Sequence, residues 1–186
     1  MNTEKSVLAQ TFLALKKEQK EVREKEIEAQ KRDDVKYTKA RKLIRDEFEL
    51  VGKYEMPLIR KQPIELDTIS LMGYNKVKSD DTKNTHTTIH FFTYDWNFDN
   101  VYDNADKAVD ELKQYYAVLT PDFSLYVDMP LLLQMYSTFK NRWCGAYWQA
   151  HGMQVIPTVE WSDERSFKSM AWQVILNTLT SIIQMS

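Results

Sequence analysis

From residue 86 onward, short apolar runs alternate with stretches of helical periodicity, and this alternation limits the fold more than any other feature of the chain. Residues 86–96, HTTIHFFTYDW, are rich in Thr, Ile, Phe and Tyr, which suit a strand. Residues 104–115 read as a helix, with Ala105, Val109, Leu112 and Tyr116 on one face and Asn104 at the N-cap position. The run AVL at 117–119 reads as a buried strand. Residues 130–151 read as a long helix, along which Leu132, Tyr136, Phe139, Trp143 and Tyr147 recur as a core stripe. Gly152 stands where a C-terminal cap is expected. A further apolar run at 155–161 leads through Ser162, Asp163 and Glu164 into a last helical pattern carrying Phe167, Met170, Val174 and Leu179. Strand and helix in turn predict an α/β fold: three or more mostly parallel strands joined by right-handed helical crossovers.

The N-terminal part follows another grammar. Residues 3 to about 50 contain no proline or glycine and are dominated by helix formers. The middle of this stretch, KKEQKEVREKEIEAQKRDD, offers only Val22, Ile27 and Ala29 as apolar side chains, so it projects as an arm instead of being buried. Residues 35–50 are more amphipathic, with Tyr37, Ala40, Leu43, Ile44 and Phe48 near helical spacing, and are expected to dock on the body. From about Met56, prolines at 57 and 63 and a polar loop at 79–84 indicate extended chain. The expected organisation is a helical, partly basic N-terminal extension over 1–55 and an α/β domain over 56–186.

With 186 residues, 43% of them hydrophobic, the chain can build one packed domain with an appendage. The single cysteine, Cys144, cannot form an internal disulfide, and no apolar stretch approaches the ~20 residues that span a bilayer. The first residues show no apolar signal region, so the expected setting is cytoplasmic, away from membranes. Net charge is −2 but uneven: residues 1–65 carry 16 Lys/Arg against 13 Asp/Glu, whereas 66–186 carry 9 against 14. The basic excess is concentrated in Lys31, Arg32, Lys36, Lys39, Arg41, Lys42 and Arg45, which face only Asp33 and Asp34. Such a stripe is a candidate surface for nucleic acid or a partner protein, with a solvated helix face as the plainer reading.

In open parallel α/β sheets, ligands bind beyond the carboxyl ends of the strands. Those ends carry Asp95 and Trp96, then Asp122 and Ser124, then Glu160 and Trp161. Asp95, Asp122 and Glu160 are therefore the candidate catalytic groups, either as oxygen ligands for a divalent ion or as a general acid beside an ionised neighbour. Each also has a structural reading. Asp122 follows Pro121 as a turn residue, Asp95 and Glu160 end strands in water, and Asp128 before Met129 and Pro130 has the position of an N-cap. His86 and His90 are too far apart along a strand for one metal ion, and Cys144 reads as core. The chain carries no phosphate-binding glycine loop, no G-x-S-x-G, no H-E-x-x-H and no C-x-x-C. The expectation is no cofactor and no metal site, with the balance leaning away from an enzyme.

The strings HFFTYDWNFDNVYDN, TPDFSLYVDMP and FKNRWCGAYWQAHGMQVIPTVEW, with Ser166 and Phe167, resemble domain of unknown function family 4417. That family is frequent in phages and mobile elements of Gram-positive bacteria, and the likeness covers about residues 90–167. It implies a phage or mobile-element setting and carries over no catalytic residue. Relative to the family pattern, the short apolar tail after Phe167 reads as a truncation, leaving an edge or apolar surface for a second copy of the chain to cover as a homodimer. Two function classes follow. The first is an accessory protein that binds and inhibits a host defence machine, in the manner of an anti-CRISPR inhibitor of a nucleic-acid-guided effector nuclease, with DNA or RNA contact through the basic stripe. The second is a carboxylate- or metal-dependent enzyme acting on nucleotides or nucleic acid.

Overall fold

The computed structural model describes residues 2–40, 48–65, 67 and 69–167. The chain divides into two compact units, Met1–Asp46 and Glu47–Ser186. In the first unit, α1 (Asn2–Ala40) is one unbroken helix. Leu15, Val22 and Ile27 stand about half exposed on it, so between residues 15 and 34 the helix buries no apolar face. Its surface carries pairs four residues apart, Lys17 with Glu21 at 4.0 Å and Lys20 with Glu24 at 3.8 Å. Exposed pairs of this kind contribute a few tenths of a kcal/mol each.

The expected second helix over 35–50 is not a separate element at either end. Val35 to Ala40 continue α1, and the chain is extended by Leu50. There β1 (Leu50–Val51) pairs antiparallel with β2 (Met56–Pro57), in register Leu50 with Pro57 and Val51 with Met56. The turn between them closes through Glu55 N–H to the Gly52 carbonyl at 3.2 Å. Residues 41–47 lie outside the described residues.

The body is a four-stranded sheet of β3 (Leu71–Gly73), β4 (Thr88–His90), β5 (Ala117–Leu119) and β6 (Val155–Ile156). All neighbours are parallel and the spatial order equals the chain order, β3-β4-β5-β6. The α/β expectation is met, but the strands are shorter than the apolar runs. Pro157 has no N–H to give a ladder and ends β6 after two residues. After His90 the chain turns, with Thr93 N–H on the Phe91 carbonyl at 2.7 Å, and residues 95–97 form a 3₁₀ turn.

Two helical crossovers follow. Between β4 and β5 lie α2 (Asn100–Asp103) and α3 (Ala105–Leu112); between β5 and β6 lies α4 (Leu131–Ala150). Register aligns Ile89, Val118 and Val155 in one row across the sheet. This row joins Val109 and Leu112 of α3 and Trp143, Cys144 and Trp148 of α4 in one buried core. Both crossovers thus cover the same face. Cys144 is a buried core residue, as expected. Of the aromatic stripe on α4, Trp143 and Tyr147 are buried and stacked at 4.8 Å, whereas Tyr136 is half exposed at the helix's early turns.

The helix ends differ from expectation in one respect. Gly152, at φ 79°, ends α4 as predicted. Its start is capped by neither Asp128 nor any other side chain, because the N-cap residue is Pro130. A turn closed by Met129 N–H on the Tyr126 carbonyl places Asp128 too early to reach the first helical turn. Asn104 occupies the N-cap position of α3, also without a side-chain bond, because α2 runs directly into it. A complete capping box appears instead at α5 (Glu164–Ser166): Asp163 accepts from Arg165 and Ser166 N–H, and Ser166 Oγ accepts from Asp163 N–H.

At Gly145, α4 packs closely against Ile59 and against Thr120 just past β5. A Cβ there would meet Ile59 Cδ1 at 2.5 Å and Thr120 Cγ2 at 2.6 Å. Overpacking of this kind costs about 1–3 kcal/mol. Gly145→Ala is therefore expected to lower the urea midpoint without changing the m-value, and an unchanged midpoint would mean that Ile59 and Thr120 yield freely.

Candidate functional site

The carboxyl ends of β4, β5 and β6 are tied together by short polar side chains. Thr120, just past β5, and Thr158, just past β6, share a hydroxyl contact at 2.8 Å; Thr158 N–H also donates to Thr120 Oγ1 at 2.8 Å. From α4, Asn141 Nδ2 lies 2.8 Å from the Pro121 carbonyl, 2.8 Å from Thr158 Oγ1 and 2.6 Å from Glu160 Oε1. Asn141 is buried, and its Oδ1 has no hydrogen-bond partner. On the other side, Asp95 accepts from Ser124 N–H at 3.0 Å and from Ser124 Oγ at 2.8 Å. This links the end of β4 to the loop after β5.

The three sequence-predicted acids therefore converge. Asp122 and Glu160 are in hydrogen-bonding contact, and both feel the charge of Asp95. Burial raises the Glu160 carboxyl to about 9, with the Asp122 charge adding to the rise. Burial likewise raises Asp122, while the bond from Glu160 acts in the opposite sense. Burial and mutual repulsion thus both favour the protonated form in this pair, most strongly at Glu160. Among the described residues no group of three or more His, Cys, Asp or Glu is placed to hold a metal ion. Asp95 is held by Ser124 and Glu160 by Asn141.

Asp122 and Glu160, but not Asp95, line a cleft of about 430 Å³ together with Thr93, Ser124, Leu125, Tyr126, Val159 and Trp161. Trp161 is 54% exposed and Tyr126 60% exposed, so two aromatic faces stand at its mouth. Beside it, Tyr94 and Trp96 flank Asp95 and stack on each other at 4.2 Å and 11°, at 67% and 72% exposure. Sequence reasoning found the three acids, Ser124 and the tryptophans by their place at strand ends. It missed Asn141, Thr158 and Tyr126. The available signal for Asn141 was a polar side chain set between Phe139 and Trp143 in the apolar stripe of α4.

The basic candidates lie elsewhere. Lys31 and Arg32 are exposed on α1, and Lys36 and Lys39 fall in its last turns. Arg41, Lys42 and Arg45 are outside the described residues. No helix among the described residues is long and apolar enough to cross a membrane.

With this geometry established, comparison of the sequence places the chain among known proteins. The family described as "Domain of unknown function (DUF4417)" matches residues 48–185. The chain belongs to this family. Its α1 helix lies outside the matched region. The Gene 1 protein of Mycobacterium phage L5 is 36% identical over 125 residues, covering 67% of this chain and 54% of that protein. The Gene 1 protein of Mycobacterium phage D29 is 39% identical over 79 residues, covering 42% of this chain and 29% of that protein. The chain thus spans about half the length, or less, of these relatives. No solved structure matches it.

The raised Glu160 carboxyl has a measurable consequence. Glu160 ionises near its ordinary value of 4.5 when unfolded and near 9 when folded. Its contribution to stability is therefore full below about pH 4.5 and lost as pH rises toward 9. Asp163 has the opposite sign, held down to about 2 by its bond from Arg165, but its window lies below this range. Unfolding free energy is expected to fall between about pH 5 and pH 9 in the natural protein and to vary less in Glu160→Gln, as measured by urea titration at several pH values.

Proposed function

We propose that the α/β body is a ligand-binding, acid–base site acting on nucleotides or nucleic acid, in a protein of phage-type function. One observation carries this reading: Asp122 and Glu160 lie together on a cleft at the carboxyl ends of parallel strands, with the Glu160 carboxyl raised to about 9 by burial. A carboxyl kept protonated at neutral pH is a general acid, and its ionised neighbour is the matching base. Asn141 is a positioning residue, because its amide fixes the Glu160 carboxyl against the strand ends. General acid–base groups of this kind contribute typically 10²–10⁴-fold to rate. Carboxyl ¹³C NMR is expected to show Glu160 titrating far above the ordinary range in the natural protein and closer to it in Asp122→Asn. An ordinary value in the natural protein would remove the basis for the reading.

A second reading is favoured by a different observation, the exposed basic residues Lys31 and Arg32 on α1 together with the phage relatives. In it, the chain is an accessory protein that docks on a host defence machine such as a nucleic-acid-guided nuclease, with the basic stripe contacting DNA or RNA or competing for its groove. Both readings call for a cytoplasmic protein, and a second copy of the chain is a further candidate partner. Reversing Lys31, Arg32, Lys36, Lys39, Arg41, Lys42 and Arg45 to Glu is expected to abolish capture of such a target from host lysate. Comparing capture with and without nuclease treatment separates a protein partner from nucleic acid, and unchanged capture by the reversed chain would remove the stripe from the mechanism.

A further inference from the structure

We infer that the cleft takes one unpaired nucleobase bearing an exocyclic amine, laid against Trp161 and Tyr126 with its amine donating to the Asp122 carboxylate. This rests on the acid–base reading of the same site and specifies what it binds. Three observations lead there.

The first is shape. A cleft of about 430 Å³ lies in the range of small-ligand pockets, and two half-exposed aromatic rings line it. Every base has a π-face, so exposed aromatics at a cleft mouth are stacking platforms for single bases. The second is charge. None of the described lining residues is Lys or Arg, while Asp122 and Glu160 are both on the wall and Asp95 stands behind Ser124. A phosphate would meet two carboxyl groups here and no cation among the described lining residues. The uncharged base end of a nucleoside fits, and the phosphates would lie outside. The third is the polarity of the wall. Asp122 lines the cleft, and its carboxylate form offers hydrogen-bond acceptors only. Carboxylates accept from the exocyclic amines of cytosine and, by the same chemistry, of adenine and guanine; uracil and thymine present a carbonyl at that position. The Tyr94–Trp96 stack beside the cleft would hold the neighbouring base if the ligand is a strand.

The base can come from a free nucleoside or from a single strand, and the two sources are distinguished by the same titrations. The full-length chain is titrated with cytidine, adenosine, guanosine and uridine, and with short single-stranded oligonucleotides, by calorimetry and by Trp fluorescence. The expected result is saturable binding with cytidine well above uridine. Trp161→Ala should weaken it about tenfold or more. In Asp122→Asn the side-chain amide can donate, so the cytidine-over-uridine preference should shrink or reverse, a change that a merely structural role for Asp122 would not produce. Oligonucleotides binding more tightly than nucleosides, with the excess lost in Trp96→Ala, would support a strand as the source; equal binding would support a free nucleoside. No saturable binding of any probe, equal affinity for cytidine and uridine, or binding indifferent to Trp161→Ala overturns the inference. If Glu160 still titrates near 9 in that case, the acid–base reading survives and only its ligand class is wrong.

Discussion

The side-chain amide of Asn141 is the contact on which the strand ends depend. It reaches from α4 to the Pro121 carbonyl after β5 and to Thr158 and Glu160 after β6. Three acceptors compete for two amide hydrogens, while the amide oxygen is left without a partner. A buried polar atom left in that state costs on the order of 1–3 kcal/mol. An apolar side chain at this position would fill the space, but it would leave the Pro121 carbonyl and the Glu160 carboxyl without this donor. The arrangement exchanges local stability for placement, as is common where side chains are held for chemistry.

Arg142, the next residue, shows the same tension on the other side of α4. It is buried, its pKa is lowered to about 10 by burial, and its Nε donates to the Pro57 carbonyl at 3.2 Å. That bond ties the β1–β2 hairpin to the helix. The 58–62 segment continues the connection: Arg60 N–H donates to Gln149 Oε1, and Gln62 Oε1 accepts the Val155 N–H of β6. A side-chain oxygen thus occupies a place on an edge strand where another chain would pair, which blunts that edge against association.

Much of this architecture was legible in the sequence. Alternating strand and helix grammar fixed the parallel sheet, and the end of each strand could be located closely enough to single out Asp95, Asp122 and Glu160. The raised Glu160 carboxyl was not legible, because it depends on burial and on Asp122, 38 positions away in the chain, lining the same cleft. Strand lengths were overestimated because the apolar runs continue past the ladder: Phe91 stays in the core after the chain has left the sheet, and Pro157 stops the pairing of β6. The Asp128 cap failed for a local reason, a tight turn that consumed the residues between it and the helix. Tyr136 shares the helical spacing of the core stripe, yet it lies at the early, solvent-facing turns of α4. Periodicity gives a face and does not say how far along the helix that face stays covered.

The closeness of Gly145 to Thr120 and Ile59 has a consequence at a distance. Gly145 lies one helical turn after Asn141 on the same face of α4, so the missing side chain sets how near that turn can lie to the strand ends. The hydrogen atom of this glycine acts as a spacer of minimum thickness between helix and sheet. A thicker spacer would lift the helix there, and with it the amide that steadies the Glu160 carboxyl. The Glu160 carboxyl at the cleft is in this sense set in place by a residue one helical turn away from its own partner.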